Sequence, residues 1–352
     1  MEQNEPIIIR LRNHENQVYT SLIGVGPHTF RVSFNTGMHG IWIPGRIPRV
    51  ANQVNAYDGD VSPTYLEFPG TFDSIRLRNG AVTISGRRKT EYILVGHTGN
   101  YVLFGPQEFV VYRRVVPRQF YLNLPYDGFV GLGFTPPANV DAVGANNPIC
   151  TTMMNQGLLG SNRFSLYLRD YYFNGDDGGR LIFGGVNQGH YLGHHQYFDL
   201  VNNLNQWMIH MYSVSVAGHL AQFCTKVLID SGCKYIYGPP HIIYRINRQI
   251  LGRDVPLHGT TVLTEGEAAG ILDWPHVSFN FIEGDEDASL TIAPHNYVIA
   301  ADTDGLFISA FRPLVFQPGD EGHFVLGLPW LRRYHTVFDF GQQRIGFALA
   351  VQ

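Results

Sequence analysis

Phe30-Arg-Val-Ser-Phe-Asn35-Thr-Gly37 is an apolar strand that ends in a small polar turn, and Lys226-Val-Leu-Ile-Asp230-Ser-Gly232 repeats that form about 195 residues later. Each copy is followed, within its own half of the chain, by an apolar-apolar-Gly segment. The first half has Phe129-Val-Gly-Leu132 and the second has Val325-Leu-Gly-Leu328. A carboxyl-type residue closes each strand: the amide Asn35 in one copy, the acid Asp230 in the other. Two copies of strand, carboxyl-type residue and apolar-Gly loop predict two homologous lobes facing each other.

The rest of the chain fits that outline. Its 352 residues correspond to about two domains of ordinary size. Glycine (39) and proline (20) are scattered throughout rather than confined to one linker. Short β-branched and aromatic runs lie between them, at 5–11, 30–34, 92–95, 109–112, 181–183, 226–229 and 337–340. Runs of that length and spacing read as strands of sandwiches or barrels. Helix candidates are few: 147–156, 240–250 and 328–334. The first opens with Asn147 and Pro148, a cap followed by a proline at the first helical position. The predicted class is all-β.

Composition narrows the possible partners. Apolar residues make up 44% and charged residues 15%, enough for real cores and too little charge for disorder. The net charge is −4 and no Lys/Arg block is present, which gives no footing for nucleic acid or an anionic membrane. No apolar run approaches membrane-spanning length. The first five residues, Met1-Glu2-Gln3-Asn4-Glu5, are polar and acidic, unlike a secretory signal. The cysteines are Cys150, Cys224 and Cys233, too few for a disulfide framework, and they are expected to be free thiols. No asparagine stands in an Asn-x-Ser/Thr triplet. Both features lean towards a reducing, intracellular compartment.

From Tyr19 to Leu349 the chain resembles the pepsin-like aspartic proteases. Thr20-Ser-Leu-Ile-Gly-Val-Gly26 is similar to that family's first hairpin. Asn35-Thr-Gly-Met-His-Gly-Ile-Trp42-Ile-Pro44 is similar to its first catalytic loop, with Trp42 at the family's tryptophan position. Tyr126-Asp-Gly-Phe-Val-Gly-Leu-Gly133 resembles the first-lobe apolar-Gly segment. Phe164-Ser-Leu-Tyr-Leu168 and Leu181-Ile-Phe-Gly-Gly185 resemble the approach to the lobe junction. Asp230-Ser-Gly-Cys-Lys-Tyr-Ile-Tyr-Gly-Pro239 resembles the second catalytic loop. The segment from Leu326 to Asp339, followed by Arg344-Ile-Gly-Phe347, resembles the C-terminal signature. The resemblance implies two β-barrel-like lobes, residues 1–187 and 188–352, with a cleft between them that takes a peptide or protein. It implies no cofactor and no metal.

The chemistry of that family needs one carboxylate per lobe, sharing a proton because two like charges about 3 Å apart cannot both ionise. The ionised member takes a proton from a bound water and the other donates to the peptide carbonyl. Here the resemblance places Asp230 at one catalytic position and Asn35 at the other. An amide offers two N–H donors and one acceptor, and cannot act as the base. Thr36, Gly37, Met38 and Ser231, Gly232, Cys233 occupy the positions that support the pair. The family has a hydroxyl residue where this chain has Met38 and Cys233, and sulfur is a weak substitute. The family's flap tyrosine is also absent from the matching stretch, 81–91, which places Ser85 and Gly86 at the flap and Tyr92 on its return strand. Two readings follow: an inactive or severely impaired homologue with a binding or structural role, or an acid endopeptidase whose Asn35 replaces a parental Asp. The genomic codon at position 35 separates them.

Other motifs have plainer explanations. Gly24-Val-Gly26 lacks a third glycine and a following helix, so it reads as a hairpin turn and not a phosphate loop. His190, His194 and His195 invite a metal reading, but their Gly-interrupted stretch reads better as a solvated loop. Arg87-Arg88-Lys89 reads as a solvated turn at the flap tip, with contact to an acidic partner as the sharper alternative. Cys233 has no histidine placed beside it, and reads as a buried small residue rather than a nucleophile. Trp42 and Trp330 read as core aromatics.

Overall fold

Ile7, Ile9, Leu11 and Asn13 are buried while Arg10 and Arg12 are exposed, the period-two signature of a strand with one face on a core. The computed structural model describes residues 5–47, 55–77, 82–97, 99–117, 119–122, 124–134, 148–201, 206–223, 226–283, 286–301, 306–315 and 323–352. Two compact units divide the chain, Met1–Val186 and Asn187–Gln352.

The first unit contains β1 (Ile7–His14), β2 (Val18–Val25), β3 (His28–Asn35), β4 (Ile41–Pro44), β5 (Leu66–Leu77), β6 (Val82–His97), β7 (Asn100–Val116), β8 (Gly128–Gly131), β9 (Arg163–Leu168) and β10 (Asp177–Phe183). Strands β2, β3, β8, β4, β7 and β6 are hydrogen-bonded in that order, and β6 returns to β2 through the pairs Gly24–Leu94 and Val25–Ile93. These six strands therefore close on themselves as a barrel, with β5 added outside the ring as a partner of β6 alone among the described residues. A core cluster in this unit contains Met38, Trp42, Ile84, Val110, Tyr112 and Phe129.

The second unit contains β11 (Tyr191–Asp199), β12 (Met208–Val216), β13 (His219–Phe223), β14 (Lys226–Ile229), β15 (Ile236–Gly238), β16 (Val262–Leu263), β17 (Val277–Glu283), β18 (Glu286–Ile292), β19 (Val298–Ala300), β20 (Phe307–Ser309), β21 (Phe311–Pro313), β22 (His323–Leu326), β23 (Tyr334–Asp339) and β24 (Arg344–Ala350). One sheet runs β18-β17-β12-β14-β22-β15-β21, a small one runs β16-β20-β19, and β24 pairs with both β11 and β23. Trp330, fully buried, packs against Phe279, Phe281, Phe347 and Tyr334 at ring-centroid separations of 4.6–6.0 Å. The core reading of this tryptophan holds.

The longest helix, Pro240–Leu251, begins with proline at its first position and ends at Gly252, whose φ of 64° a side chain would strain. Ile242, Ile243, Ile246 and Ile250 form its buried face. The two other helix candidates run Ile149–Asn155 and Leu328–Arg333; Asn147 lies outside the described residues. No described helix is long and apolar enough to cross a membrane.

Candidate active site

The repeat seen in the sequence is a repeat of backbone geometry. β3 pairs in parallel with β8, and β14 pairs in parallel with β22. In each unit a short strand then runs antiparallel to the inner partner: β4 against β8, β15 against β22. Each also has a parallel neighbour on its other side, β7 for β4 and β21 for β15.

The turns at the ends of β3 and β14 match in detail. Asn35 Oδ1 accepts a hydrogen bond from the Gly37 N–H at 2.8 Å, and Asp230 Oδ1 accepts one from the Gly232 N–H at 2.8 Å. The Asn35 carbonyl accepts from Met38 N–H at 3.4 Å, and that of Asp230 accepts from Cys233 N–H at 3.2 Å. The apolar-Gly loops close both turns. Gly133 N–H donates to the Met38 carbonyl at 2.7 Å, and Leu328 N–H donates to the Cys233 carbonyl at 2.8 Å. Such contacts leave no room for a side chain. A Cβ on Gly327 would lie 2.1 Å from the Cys233 oxygen and 2.3 Å from that of Tyr235. The glycine in each apolar-Gly motif is thus a matter of close backbone approach.

The side chains diverge where the backbones agree. Cys233 Sγ donates to Asp230 Oδ2 at 3.1 Å, so the second carboxylate has both oxygens held. Burial pushes the Cys233 thiol well above its ordinary value, and the charge of Asp230 and the hydrogen bond add to the effect. The sulfur therefore stays protonated as a donor, which disfavours nucleophilic chemistry. Met38, the counterpart in the first unit, is 8% exposed and belongs to the core cluster around Trp42. Asn35 and Asp230 are half-buried, Thr36 is buried, Ser231 is half-buried, and Gly37 and Gly232 are exposed. Trp42 is fully buried, with Nε1 donating to the His39 carbonyl at 3.2 Å, so it supports the turn from inside the core.

Ser85 and Gly86 lie within β6, in its first third, and not at a hairpin tip. They pair with Ser74 and Asp73 of β5, and on the other side with Arg114 and Tyr112 across a bulge in the β6–β7 ladder. A Cβ on Gly86 would come within 2.1 Å of the Val111 carbonyl, which explains the glycine without a turn. Residues 78–81, between β5 and β6, lie outside the described residues. Arg87, Arg88 and Lys89 are likewise strand residues and not a solvated turn. Lys89 is buried, bonded to the Tyr65 hydroxyl and to Glu67 at 2.5 Å, while Arg88 stands 3.8 Å from Glu108.

His190 lies in a short 3₁₀ turn, and His194 and His195 lie in β11, so the solvated-loop expectation is corrected. His195 Nε2 is 2.8 Å from Nδ1 of His335. No metal-holding group of His, Cys, Asp and Glu occurs among the described residues.

Sequence reasoning missed Glu91. This fully buried carboxylate accepts from Tyr57 at 3.1 Å, from the Tyr92 N–H at 2.9 Å, and from the hydroxyls of Ser62 and Thr64. Burial pushes its carboxyl up, but the combined hydrogen bonds outweigh that and hold it below the usual carboxylate range. The available signal was an acid standing directly before the apolar run Tyr92-Ile-Leu-Val95.

Residues 18–350 match the family described as eukaryotic aspartyl protease. The chain belongs to that family. Its relatives include Renin-2 of Mus musculus, 28% identical over 352 residues that take in 97% of this chain and 81% of the relative. Cathepsin E of Rattus norvegicus is 28% identical over 358 residues, 99% of this chain and 83% of the relative. Cathepsin D of Dictyostelium discoideum is 29% identical over 362 residues, with coverage of 99% and 88%. The chain is a pepsin-like aspartic protease homologue over essentially its whole length, and the matching turns at Asn35 and Asp230 are the places where the chemistry of an aspartyl protease would be sought.

Proposed function

We propose that this chain is a pepsin-like aspartic protease homologue whose catalytic pair is broken, and that it binds an extended peptide or protein segment in the family's interlobe cleft without turning it over. One observation carries the reading. Asn35 accepts the same backbone N–H that Asp230 accepts in the second unit, yet it is an amide. It keeps the turn and gives up the proton chemistry. A carboxylate can take a proton from water; an amide at neutral or acid pH cannot. The packing of Met38 into the core supports the same reading, since the position offers no hydroxyl to a carboxylate placed at 35. Peptide binding remains reasonable because β walls offer main-chain hydrogen bonds to an extended ligand whatever becomes of the catalytic groups.

The competing reading is an acid endopeptidase in which Asn35 replaces a parental Asp. The well-kept second site favours it, since Asp230 retains donors on both oxygens. A cleavage assay on an unfolded substrate between about pH 3 and pH 7, which brackets carboxyl titration, decides between them. The first reading requires no turnover, together with weak peptide binding and poor affinity for inhibitors that carry a statine-type hydroxyl. Acid-optimal cleavage by the native sequence overturns it.

A further inference from the structure

Every residue of β23 is buried, and one of them is a histidine. His335 is 0% exposed and pairs in register with Ala348 of β24. Its Nδ1 lies 2.8 Å from Nε2 of His195 in β11. The Tyr191 ring lies against both imidazoles, at 4.9 Å from His335 and 4.2 Å from His195 between centroids. A third imidazole, His190, is 6.2 Å from His335, and the His190 carbonyl accepts from the Val351 N–H at 3.0 Å. Between Leu192 and Gln196 the β11–β24 register slips, and His195 lies in that irregular stretch. Three imidazoles thus meet where β11 joins β24 and β23, next to the C-terminal residues.

We propose that His190, His195 and His335 form an acid-operated latch, which holds β11 and the C-terminal strand β24 together at neutral pH and loosens them as the pH falls. A nitrogen-to-nitrogen hydrogen bond holds one proton between two rings. A second proton between them would set two N–H groups face to face and leave one ring positively charged in a buried place, a cost met by opening the contact.

The charges that act on His335 are those of His195 and His190, and both oppose its protonation. β11 also carries Tyr191, Tyr197, the exposed His194 and Asp199. Arg344 of β24 sits over the Tyr197 ring at 3.9 Å and is 3.5 Å from Asp339, and Arg332 and Arg333 end the helix that leads into β23. Burial, with His195 and His190 adding to it, lowers His335 from 6.5 to about 3. The sign follows from linkage. The opened segment takes up a proton below its ordinary value, and the closed one does not until far lower pH. Closure is therefore at full strength above about pH 6.5, and the opening equilibrium rises by up to about tenfold per pH unit below it. The proposal does not depend on the state of Asn35.

Backbone hydrogen exchange of the full chain between about pH 7.5 and pH 5, corrected for the intrinsic pH dependence of exchange, tests it; carboxylates stay ionised across that window. Protection in 191–199 and 344–350 should fall by up to about tenfold per unit below about pH 6.5, while protection in 82–97 stays level. His335→Gln, which can still hydrogen-bond His195 but does not titrate, should remove that slope, and His335→Phe should do the same. A wild-type profile with no excess slope in the two segments, or an equal slope in 82–97, overturns the latch without any variant. So does a slope that survives in a folded His335→Gln protein.

Discussion

Asn35 and Met38 are coupled through what each fails to supply. On the proposed reading, an acid placed at 35 supplies the composition of a pair but not its support, because the Met38 side chain lies in the core cluster and carries no donor. Asn35→Asp should therefore show little or no acid proteolysis. Asn35→Asp combined with Met38→Ser and Cys233→Thr should show measurably more, in the same unfolded-substrate assay. Hydrogen bonds to charged groups are worth about 1.5–3 kcal/mol each, so the support missing at Met38 amounts to roughly one to two decades in rate at about 1.36 kcal/mol per decade, and a hydroxyl at 233 would only strengthen the donor that Cys233 Sγ already gives Asp230. The structure adds a cost that the sequence did not show. Met38→Ser empties part of the space beside Trp42, and truncating a buried methionine costs about 2–5 kcal/mol. The Met38→Ser change should lower the denaturant midpoint whether or not Asn35 is altered. Robust acid cleavage by Asn35→Asp alone would show instead that the site was never degenerate.

At the scale of elements, β6 shows where sequence reading succeeds and where it fails. Its β-branched and aromatic residues announce a strand. Its bulge does not appear in the sequence, because Ser85-Gly86-Arg87-Arg88 looks like a turn. What makes Gly86 necessary is the Val111 carbonyl of β7, invisible until the strands are paired. Glu91 was missed for a related reason: its donors Tyr57, Ser62 and Thr64 come from a loop 27–34 residues upstream. The histidines of β11 read as a loop because His335, the hydrogen-bond partner of His195, is 140 residues away from it. By contrast, the two Asn35- and Asp230-bearing strands were legible, since a period of apolar residues followed by a small turn is a local property. Glu91 also carries a pH prediction. A carboxyl held below its unfolded value contributes stability that is fully present above the unfolded pKa, about 4.5, and is lost as pH falls through the folded one. Glu91→Gln should therefore cost about 1.5–3 kcal/mol at pH 7, and the gap from wild type should shrink towards pH 3. Denaturant melts at the two pH values check this; a gap that is constant with pH would assign the loss to packing.

Over the whole molecule, the thiols report how each unit is packed. Cys150 is buried and free, and burial pushes its thiol above its ordinary value; Cys233 is also free. Cys224 lies outside the described residues. The denatured chain should take up a thiol label at all three cysteines, while in the native protein Cys150 and Cys233 should react far more slowly than a free thiol. Intact mass before and after labelling reads this directly, and a chain two hydrogens lighter with one thiol would reveal a bridge.

The matched turns at the ends of β3 and β14 are closed by main-chain groups, and an amide oxygen fills its place in that arrangement as well as a carboxylate oxygen does. An exchange of acid for amide at position 35 is then nearly silent to folding. Selection for a well-folded chain would neither resist such a change nor notice its reversal, and only selection for turnover could see it. A lineage carrying this architecture can drift out of proteolysis in one codon and persist.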